Sequence, residues 1–143
     1  MKLLPVKLLI LIVLCMCSCN PNEDKTDPFN SDGMIIRISE IEIHPNYLDE
    51  YLKILKEESE ASVGLESGVI SIFPMFQKEN PNQIRILEIY RNKGAYESHL
   101  QTPHFKHYKT TTQKMVKSLE LVDMVAIDEE TIPQIFKKIE DTL

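Results

Sequence analysis

Alternation of hydrophobic and polar positions begins at residue 34 and predicts a first strand over residues 34–44. One set of alternate positions places Arg37 and Ser39 among isoleucines. After this strand the period becomes that of a helix, because apolar side chains recur on one face of residues 48–63 and charged ones on the other. Asn46 is the predicted cap of this helix, since asparagine side chains accept hydrogen bonds from the free N–H groups of a first turn.

Residues 68–77 and 83–91 are two further predicted strands, and the short polar turn between them favours a hairpin. Pro74 lies in the first of the two. Because proline has no N–H to donate to a ladder, this strand is predicted to lie at an edge of the sheet. Both of its faces are apolar, which predicts that both are covered.

The longest patterned segment follows the third strand, with a turn at residues 92–94 and a helix that restarts at Thr102 and Pro103. Thr102 is a predicted cap, and proline in a first turn loses no hydrogen bond. A fourth strand is predicted over residues 121–127 and an amphipathic tail helix over residues 131–143. The restarted helix carries an apolar stripe formed by Phe105, Tyr108, Thr112, Met115, Val116 and Leu119.

The predicted order of elements is β-α-β-β-α-β followed by a tail, which is the ferredoxin-like unit of the α+β class. Helices cover one face of its four-stranded sheet, and the other face also carries apolar side chains. At 143 residues the chain has room for one domain and little else. The sequence therefore predicts a homodimer in which two sheets face each other.

The N-terminus has the composition of an export signal. Lys2 and Lys7 accompany an apolar run of about 11 residues, whereas spanning a bilayer takes roughly 20. Cys19, after the small Ser18, resembles the acylated cysteine of a bacterial lipobox, and Cys17 is the alternative. The sequence thus predicts an exported lipoprotein of a bacterial cell envelope, anchored to a membrane through lipid. A plain cleaved signal or an uncleaved anchor is the other interpretation.

These observations divide the chain into four segments. Residues 1–19 are the predicted signal peptide. Residues 20–33 are polar and rich in turn formers, which predicts a flexible linker. The folded domain is predicted over residues 34–128, and a helical tail over residues 129–143.

Charge and cysteine content exclude several functions for the folded part. The formal charge is −6 and becomes −8 without Lys2 and Lys7, so the chain offers no basic face for nucleic acid. The three cysteines all lie in the predicted leader, which excludes disulfides and cysteine-based metal sites from the domain. The sequence shows no phosphate loop or dinucleotide motif, and no histidine–acid spacing typical of zinc.

Residues 88–105 (EIYRNKGAYESHLQTPHF) resemble the antibiotic biosynthesis monooxygenase family, in its quinol-monooxygenase-like branch. The final His-Leu-Gln-Thr-Pro-His-Phe is the most specific part. Relatives carry Glu-Pro-Gly where this chain has Glu66, Ser67 and Gly68. The resemblance covers roughly residues 34–127 and implies a dimeric α+β barrel. It also implies that the protein oxidises a quinol or phenolic small molecule with O₂, without flavin, haem or metal.

The resemblance implies roles for individual residues. His99 is the expected proton acceptor, because imidazole groups titrate near neutral pH and the deprotonated substrate is the electron source. Tyr90, where relatives often carry tryptophan, is expected to contact the substrate. Ser39 lies where some relatives place an asparagine that points into the cleft, and Arg37 could balance an anion. Further contacts and pocket walls are expected from Phe73, His104, Phe105 and Tyr108.

Structural explanations compete with these roles. His104 follows a helix cap and is more simply explained as support for the first turn of its helix. Glu88 is expected to pair with Arg85 or a backbone donor rather than to perform acid–base chemistry. His44 and His107 are expected at the surface.

Two other functions fit the same sequence. An isomerase or lyase acting on a small hydroxy-carbonyl compound could use the same histidine. A non-catalytic, lipid-anchored dimer could bind a small hydrophobic molecule or a partner protein, with His99 serving only as a structural hydrogen-bonding group. Haem degradation, a third activity of this fold, is disfavoured because the chain has no tryptophan and carries Lys109 where the haem-ligating histidine is expected.

Overall fold

A computed structural model describes residues 33–128 and 130–142. The predicted signal peptide, Cys19 and almost all of the predicted linker lie outside the described residues. In chain order the elements are β1 (Ile35–Ile43), a short 3-10 helix (Pro45–Tyr47), α1 (Leu48–Leu65), β2 (Val69–Gln77), β3 (Asn80–Tyr90), α2 (Lys93–His99), α3 (Pro103–Thr112), β4 (Val116–Met124) and α4 (Thr131–Glu140).

The four strands form one antiparallel sheet in the order β2-β3-β1-β4, which confirms the ferredoxin-like α+β fold. β2 and β3 are hairpin partners, as predicted. β2 lies at an edge of the sheet, as the proline at position 74 indicated. Helices α1 and α2 pack on β2, and α1 also packs on α3, so the three helices cover one face of the sheet.

The solid part of the core lies where α1 crosses that face. Ile43 and Ile84 of the sheet are 1% exposed. Tyr51 and Leu55 of α1 and Met115 before β4 are equally enclosed, at 0–2%. Removing such side chains from water stabilises the fold by roughly 1.5–3 kcal/mol each.

The start of α1 differs from the prediction. Asn46 lies inside the 3-10 helix that begins at Pro45, and α1 starts without a side-chain cap. Proline already has the φ angle of a first helical residue, so the chain begins to coil at Pro45, one residue before the predicted cap. Asp49 and Glu50 in the first turn of α1 supply the negative charge that favours a helix N-terminus.

The apolar stripe predicted for the long helix is divided between two elements. α3 ends at Thr112, and Val116 begins β4 five residues before the predicted start. The hydroxyls of Thr110 and Thr112 each donate to the backbone carbonyl four residues earlier, at 2.8 Å. Such hydrogen bonds weaken a helix, and α3 ends within a run of three threonines. Met115 is buried as the stripe predicted, but it lies in the connection to β4.

The other face of the sheet exposes large apolar side chains. Phe73 and Met75 of β2 are 58% and 42% exposed, so the prediction that both faces of this strand are covered does not hold within the chain. The tail helix α4 is amphipathic, as predicted, with Ile135 and Ile139 half exposed. Within residues 33–128 and 130–142, none of the helices has the length and hydropathy needed to cross a membrane.

Candidate active site

A cavity of about 250 Å³ lies between the sheet and the three helices that cover it. Its floor and walls are mostly apolar, and its polar groups converge from two directions. Arg37, Ser39, Glu88 and Tyr90 come from neighbouring strands, whereas Glu58 and His99 come from helices. The apolar lining includes Ile41, Leu55, Ile72, Ile86, Leu100, Phe105, Leu119 and Leu121.

Strand register gathers the polar residues of the sheet. Arg37 on β1 lies directly opposite Glu88 on β3, and Ser39 and Tyr90 are the next same-face neighbours of these two. The Ser39 hydroxyl donates a hydrogen bond to the Glu88 carboxylate, and the Tyr90 hydroxyl donates to its other oxygen at 2.9 Å. The three side chains therefore form one network at the cavity wall.

This network corrects the expectation for Glu88. The predicted partner, Arg85, instead pairs with Glu40 at 3.0 Å. Residues 85 and 88 are three apart on a strand, so their side chains point to opposite faces of the sheet. Burial and the adjacent Glu88 carboxylate raise the pKa of the Tyr90 hydroxyl, which keeps it neutral and able to donate.

His99 closes the helical side of the cavity and is 2% exposed. Its ring centre lies 5.3 Å from that of Tyr90 and 4.7 Å from that of Phe105. Its backbone carbonyl accepts hydrogen bonds from the backbone N–H of Thr102 at 3.0 Å and from the Thr102 hydroxyl at 2.8 Å. The turn between α2 and α3 thus fixes the backbone of His99 through Thr102.

Glu66, just past the end of α1, contacts two imidazoles through one carboxylate oxygen. That oxygen lies 3.0 Å from Nδ1 of His99 and 2.6 Å from Nε2 of His104. Burial acts to raise the pKa of Glu66, but the hydrogen bonds to the two histidines outweigh it and hold the pKa below its ordinary value. The expected role of His104 in the first helical turn is wrong, because Thr102 alone caps that turn by accepting from Phe105 N at 3.3 Å.

Gly68 explains how Glu66 comes so close to the histidines. A Cβ at this position would lie 2.5 Å from the Cβ of Ala95 in α2, which is closer than two carbon atoms can approach. Glycine therefore allows the start of β2 to pack directly against α2.

Glu58 is the functional candidate that sequence reasoning missed. It is 5% exposed and lines the cavity, and its Oε1 lies 3.7 Å from Nε2 of His99. Burial raises its pKa above the ordinary value, although the Ser62 hydroxyl donates to it at 2.8 Å. The signal was available: Tyr51, Leu55, Glu58 and Ser62 share one face of α1 at helical spacing, so the glutamate lies on the buried side.

Of the predicted pocket residues, Phe73 and His104 do not line this cavity. Phe73 pairs with Leu87, one residue before Glu88, and therefore points to the opposite face from Glu88. It contributes instead to a separate surface hollow at the β2 edge, together with Leu52 and Phe76. The prediction failed because the register of β2 shifts by one residue between Val69 and Ser71, and a one-residue shift in a strand reverses the face.

Arg37 and Tyr108 line the cavity with their polar groups already engaged. The Arg37 guanidinium donates to Asp123 at 2.7 Å and to the Tyr96 hydroxyl at 3.1 Å. Burial opposes its charge, but these partners outweigh burial and raise its pKa. The hydroxyls of Tyr108 and Tyr51 lie 2.6 Å apart, and burial is the main cause that raises the pKa of Tyr108 to about 12.

Three side chains could hold a cation. Ligand atoms of Glu66, His99 and His104 all lie within 4.8 Å of one another. These positions are 33 and 5 residues apart along the chain, so their spacing gave no indication of a metal site before the fold brought them together. His44 and His107 are exposed, as predicted, and are not members of this group.

The fold and the cavity define a ferredoxin-like α+β domain that encloses a small apolar pocket with a buried histidine. A profile of the antibiotic biosynthesis monooxygenase family matches residues 34–111. This match covers more than half of the chain, and the chain belongs to that family.

Solved structures give the same assignment. A Bacteroides thetaiotaomicron protein classed with these monooxygenases is 45% identical, with a TM-score of 0.68 over 69% of this chain and 94% of that one. A Lactobacillus acidophilus protein classed as a monooxygenase is 30% identical, with a TM-score of 0.64 over 66% of this chain and 45% of that one. A Caulobacter crescentus relative, at 21% identity and a TM-score of 0.59, shares the fold. No curated protein matches the chain.

Proposed function

We propose that the protein is a cofactor-independent monooxygenase that oxidises a quinol or phenolic molecule with O₂, and that His99 is its proton acceptor. The observation that carries this proposal is the buried imidazole at the cavity wall, 2% exposed and flanked by the rings of Tyr90 and Phe105. A flat aromatic guest in this cavity would meet ring faces and aliphatic walls, which favour it over a polar or flexible guest.

Glu66 supports the assignment of the base. A carboxylate 3.0 Å from Nδ1 of His99 favours the tautomer that carries its proton on Nδ1. Nε2 is then unprotonated and available to accept a proton on the side where the cavity and Glu58 lie. The arrangement is that of a histidine base oriented by an acid on its other nitrogen.

The size of the cavity narrows the substrate. Sites for drug-sized ligands usually enclose about 300–1,000 Å³. A volume of about 250 Å³ in this chain therefore favours a single aromatic ring with short substituents over a fused polycycle.

The reaction needs no external reductant. A quinol and O₂ have the same atoms and electrons as a hydroxyquinone and water, so the substrate itself supplies every electron. The protein's contribution is to remove a phenolic proton at His99, to exclude water with apolar walls, and to place the anion beside the Arg37 guanidinium. Hydrogen bonds from Ser39 and Tyr90 hold the Glu88 carboxylate in a fixed position at the cavity wall.

Oxygen uptake by the purified protein with a panel of single-ring quinols tests the proposal. His99→Ala should lower the enzyme-dependent rate by roughly 10²–10⁴-fold, the usual contribution of a general base. His107→Ala is the matched control, since His107 is exposed on α3 and should leave the rate unchanged. Uptake that is absent in the wild type, or equal in wild type and His99→Ala, would contradict the proposal.

One observation favours a second function. Glu58 and His99 place two proton-transfer groups 3.7 Å apart on the same cavity, which would suit an isomerase or lyase acting on a hydroxy-carbonyl compound. The raised pKa of Glu58 makes it a possible proton donor. Turnover of such a compound without oxygen uptake would support this alternative.

We also propose that two copies pair through the uncovered faces of their sheets. The support is the apolar composition of that face, which includes Ile36, Ile38, Leu87, Val122 and the exposed Phe73. Light scattering coupled to size exclusion should give the mass of a dimer, and Leu87→Arg should give a monomer. A monomeric wild type would overturn the proposal.

Lipid attachment at Cys19 remains our proposal for the location of the protein. Metabolic labelling with a fatty acid should label the wild type and Cys17→Ser, and should fail to label Cys19→Ser. Labelling that follows Cys17 instead would move the site by two residues, and labelling of neither would leave only an export signal.

A further inference from the structure

A buried carboxylate oxygen that two imidazoles share is also an arrangement that binds metal. We propose that Glu66, His99 and His104 form a binding site for a divalent transition metal of the zinc class. This site goes beyond the proposed oxygenase chemistry and does not depend on it. A metal on Nδ1 of His99 would leave the ring proton on Nε2, so the metal-bound form would not have the free base that the oxygenase proposal requires.

The donor set suits such a cation. Two imidazole nitrogens and one carboxylate oxygen are ligands that zinc and its neighbours accept, whereas calcium and magnesium prefer oxygen alone. Bonds of about 2.0–2.2 Å to a tetrahedral ion would separate the ligand atoms by roughly 3.4 Å. The observed separations from the Glu66 oxygen are 3.0 Å to His99 Nδ1 and 2.6 Å to His104 Nε2. Moving the Glu66 oxygen away from each imidazole by less than 1 Å would give these separations, and the ligand atoms of the two histidines lie within 4.8 Å of each other.

A second, independent feature points the same way. Metal-binding histidines almost always turn their other ring nitrogen to a carboxylate or carbonyl. His99 would bind through Nδ1, and its Nε2 lies 3.7 Å from the buried carboxyl of Glu58. At this distance the carboxyl makes no hydrogen bond to the ring, but it faces the nitrogen that an outer carboxylate would contact.

The ligands are held before any ion arrives. Thr102 joins the two histidines, because it binds the carbonyl of His99 and caps the helix that carries His104. Gly68 lets the chain that carries Glu66 pack against α2. Rigid placement of this kind lowers the cost of assembling a site.

The site also has a route to solvent. The side chain of His104 is 19% exposed and that of Glu66 is 13% exposed, while that of His99 is 2% exposed. An ion could therefore enter from the His104 side and keep water as a fourth ligand, as in open three-ligand zinc sites.

Zinc titration by calorimetry tests the proposal, with untagged protein stripped by a chelator and no substrate present. The wild type should bind one equivalent. His104→Ala and Glu66→Gln should each weaken binding by more than about tenfold, and Glu58→Gln, which alters only the outer carboxyl, by roughly 10-fold or more. His107→Ala, one helical turn away on α3, should bind as the wild type does.

Cobalt supplies a readout that a structural role would not produce. Co²⁺ bound by the wild type and by His107→Ala should show the intense visible absorption of a four-coordinate site, and His104→Ala should not. Circular dichroism of each variant would establish that it is folded. The proposal is overturned if the wild type binds no zinc in one equivalent, or if His104→Ala and Glu66→Gln bind it as tightly as His107→Ala does. Because substrate is absent, either result is independent of oxygenase activity.

Discussion

The same face of one sheet has two ends that differ in what they enclose. At one end, Ile43, Ile84 and Met115 pack against α1 with at most 1% of each side chain exposed. At the other end, Ser39 and Glu88 occupy the equivalent strand positions, and the helices leave a cavity of about 250 Å³.

The difference shows how a small domain combines stability with a site. The solid end contains mostly aliphatic side chains, and the hydroxyl of Tyr51 there already has a partner in Tyr108 at 2.6 Å. The hollow end contains buried polar groups, and each requires a partner: Glu88 has two hydroxyls, and Glu66 has two imidazoles. We infer that substitutions at the solid end lower stability at every pH, and that those at the hollow end change activity and the pH dependence of stability.

The largest effect on stability is expected at the solid end. Ile43→Ala should lower the free energy of unfolding by about 3 kcal/mol, because the surrounding side chains leave a cavity that cannot collapse fully. Ile86→Ala should lower the free energy of unfolding by less, because Ile86 already borders the cavity and makes fewer contacts that the substitution could remove. Urea denaturation with a common m-value measures both. An equal or larger loss for Ile86→Ala would mean that the two ends do not differ in packing.

The next effect concerns the approach of β2 to α2. Gly68→Ala should destabilise the protein by roughly 1–3 kcal/mol, because the new Cβ would lie 2.5 Å from that of Ala95. Ala95→Gly removes the opposing atom, so the double variant should be more stable than the sum of the two single changes predicts. Strictly additive losses in a double-mutant cycle would show that the contact does not limit the packing.

Sequence patterns were sufficient for the order of the elements and for the edge position of β2. Local signals identified the Thr102 cap. They failed where two local signals competed, as at Pro45 and Asn46, where the first turn formed earlier than the cap implied. They also failed at the end of α3, because an apolar stripe continues in phase across a helix end and cannot reveal where the helix stops.

The site was harder to predict than the fold. His99 and Tyr90 were identified through their motif, and the structure places both on the cavity. Glu66 was read only as part of a motif, because its contacts lie 33 and 38 residues away along the chain. Glu58 was overlooked although its position on the buried face of α1 was readable. Phe73 was misplaced, because the bulge between Val69 and Ser71 shifts the register of β2 near its start.

The two carboxyl groups beside His99 should respond to pH in opposite directions. Glu58 has a raised folded pKa, so its proton stabilises the fold below its ordinary value of 4.5, and this stability is lost as pH rises through the folded pKa. Glu58→Gln removes that loss and should be more stable than the wild type at pH 8, with the difference vanishing near pH 4.

Glu66 provides the opposite case. Its folded pKa is lowered, so it stabilises the protein above its ordinary value of 4.5, and that stability is lost as pH falls through the folded pKa. Glu66→Gln should therefore be less stable than the wild type at pH 8, with a smaller difference in acid. Unfolding free energies measured from pH 4 to 8, with a chelator present, check both variants. Differences of the same sign would show that the two carboxyls share one environment.

The smallest changes in stability are expected at two helix N-caps. One of them only caps its helix, and the other also positions His99. Asn92 and Thr102 cap α2 and α3 through hydrogen bonds to Ala95 N at 2.9 Å and Phe105 N at 3.3 Å. Replacing either by alanine should cost about 1 kcal/mol. The Thr102 hydroxyl also donates to the carbonyl of His99, so Thr102→Ala should release the imidazole and lower kcat for oxygen uptake, whereas Asn92→Ala should leave kcat unchanged. If both variants lose stability equally and neither loses activity, His99 is held by its contacts with Glu66 and Phe105 rather than by the turn.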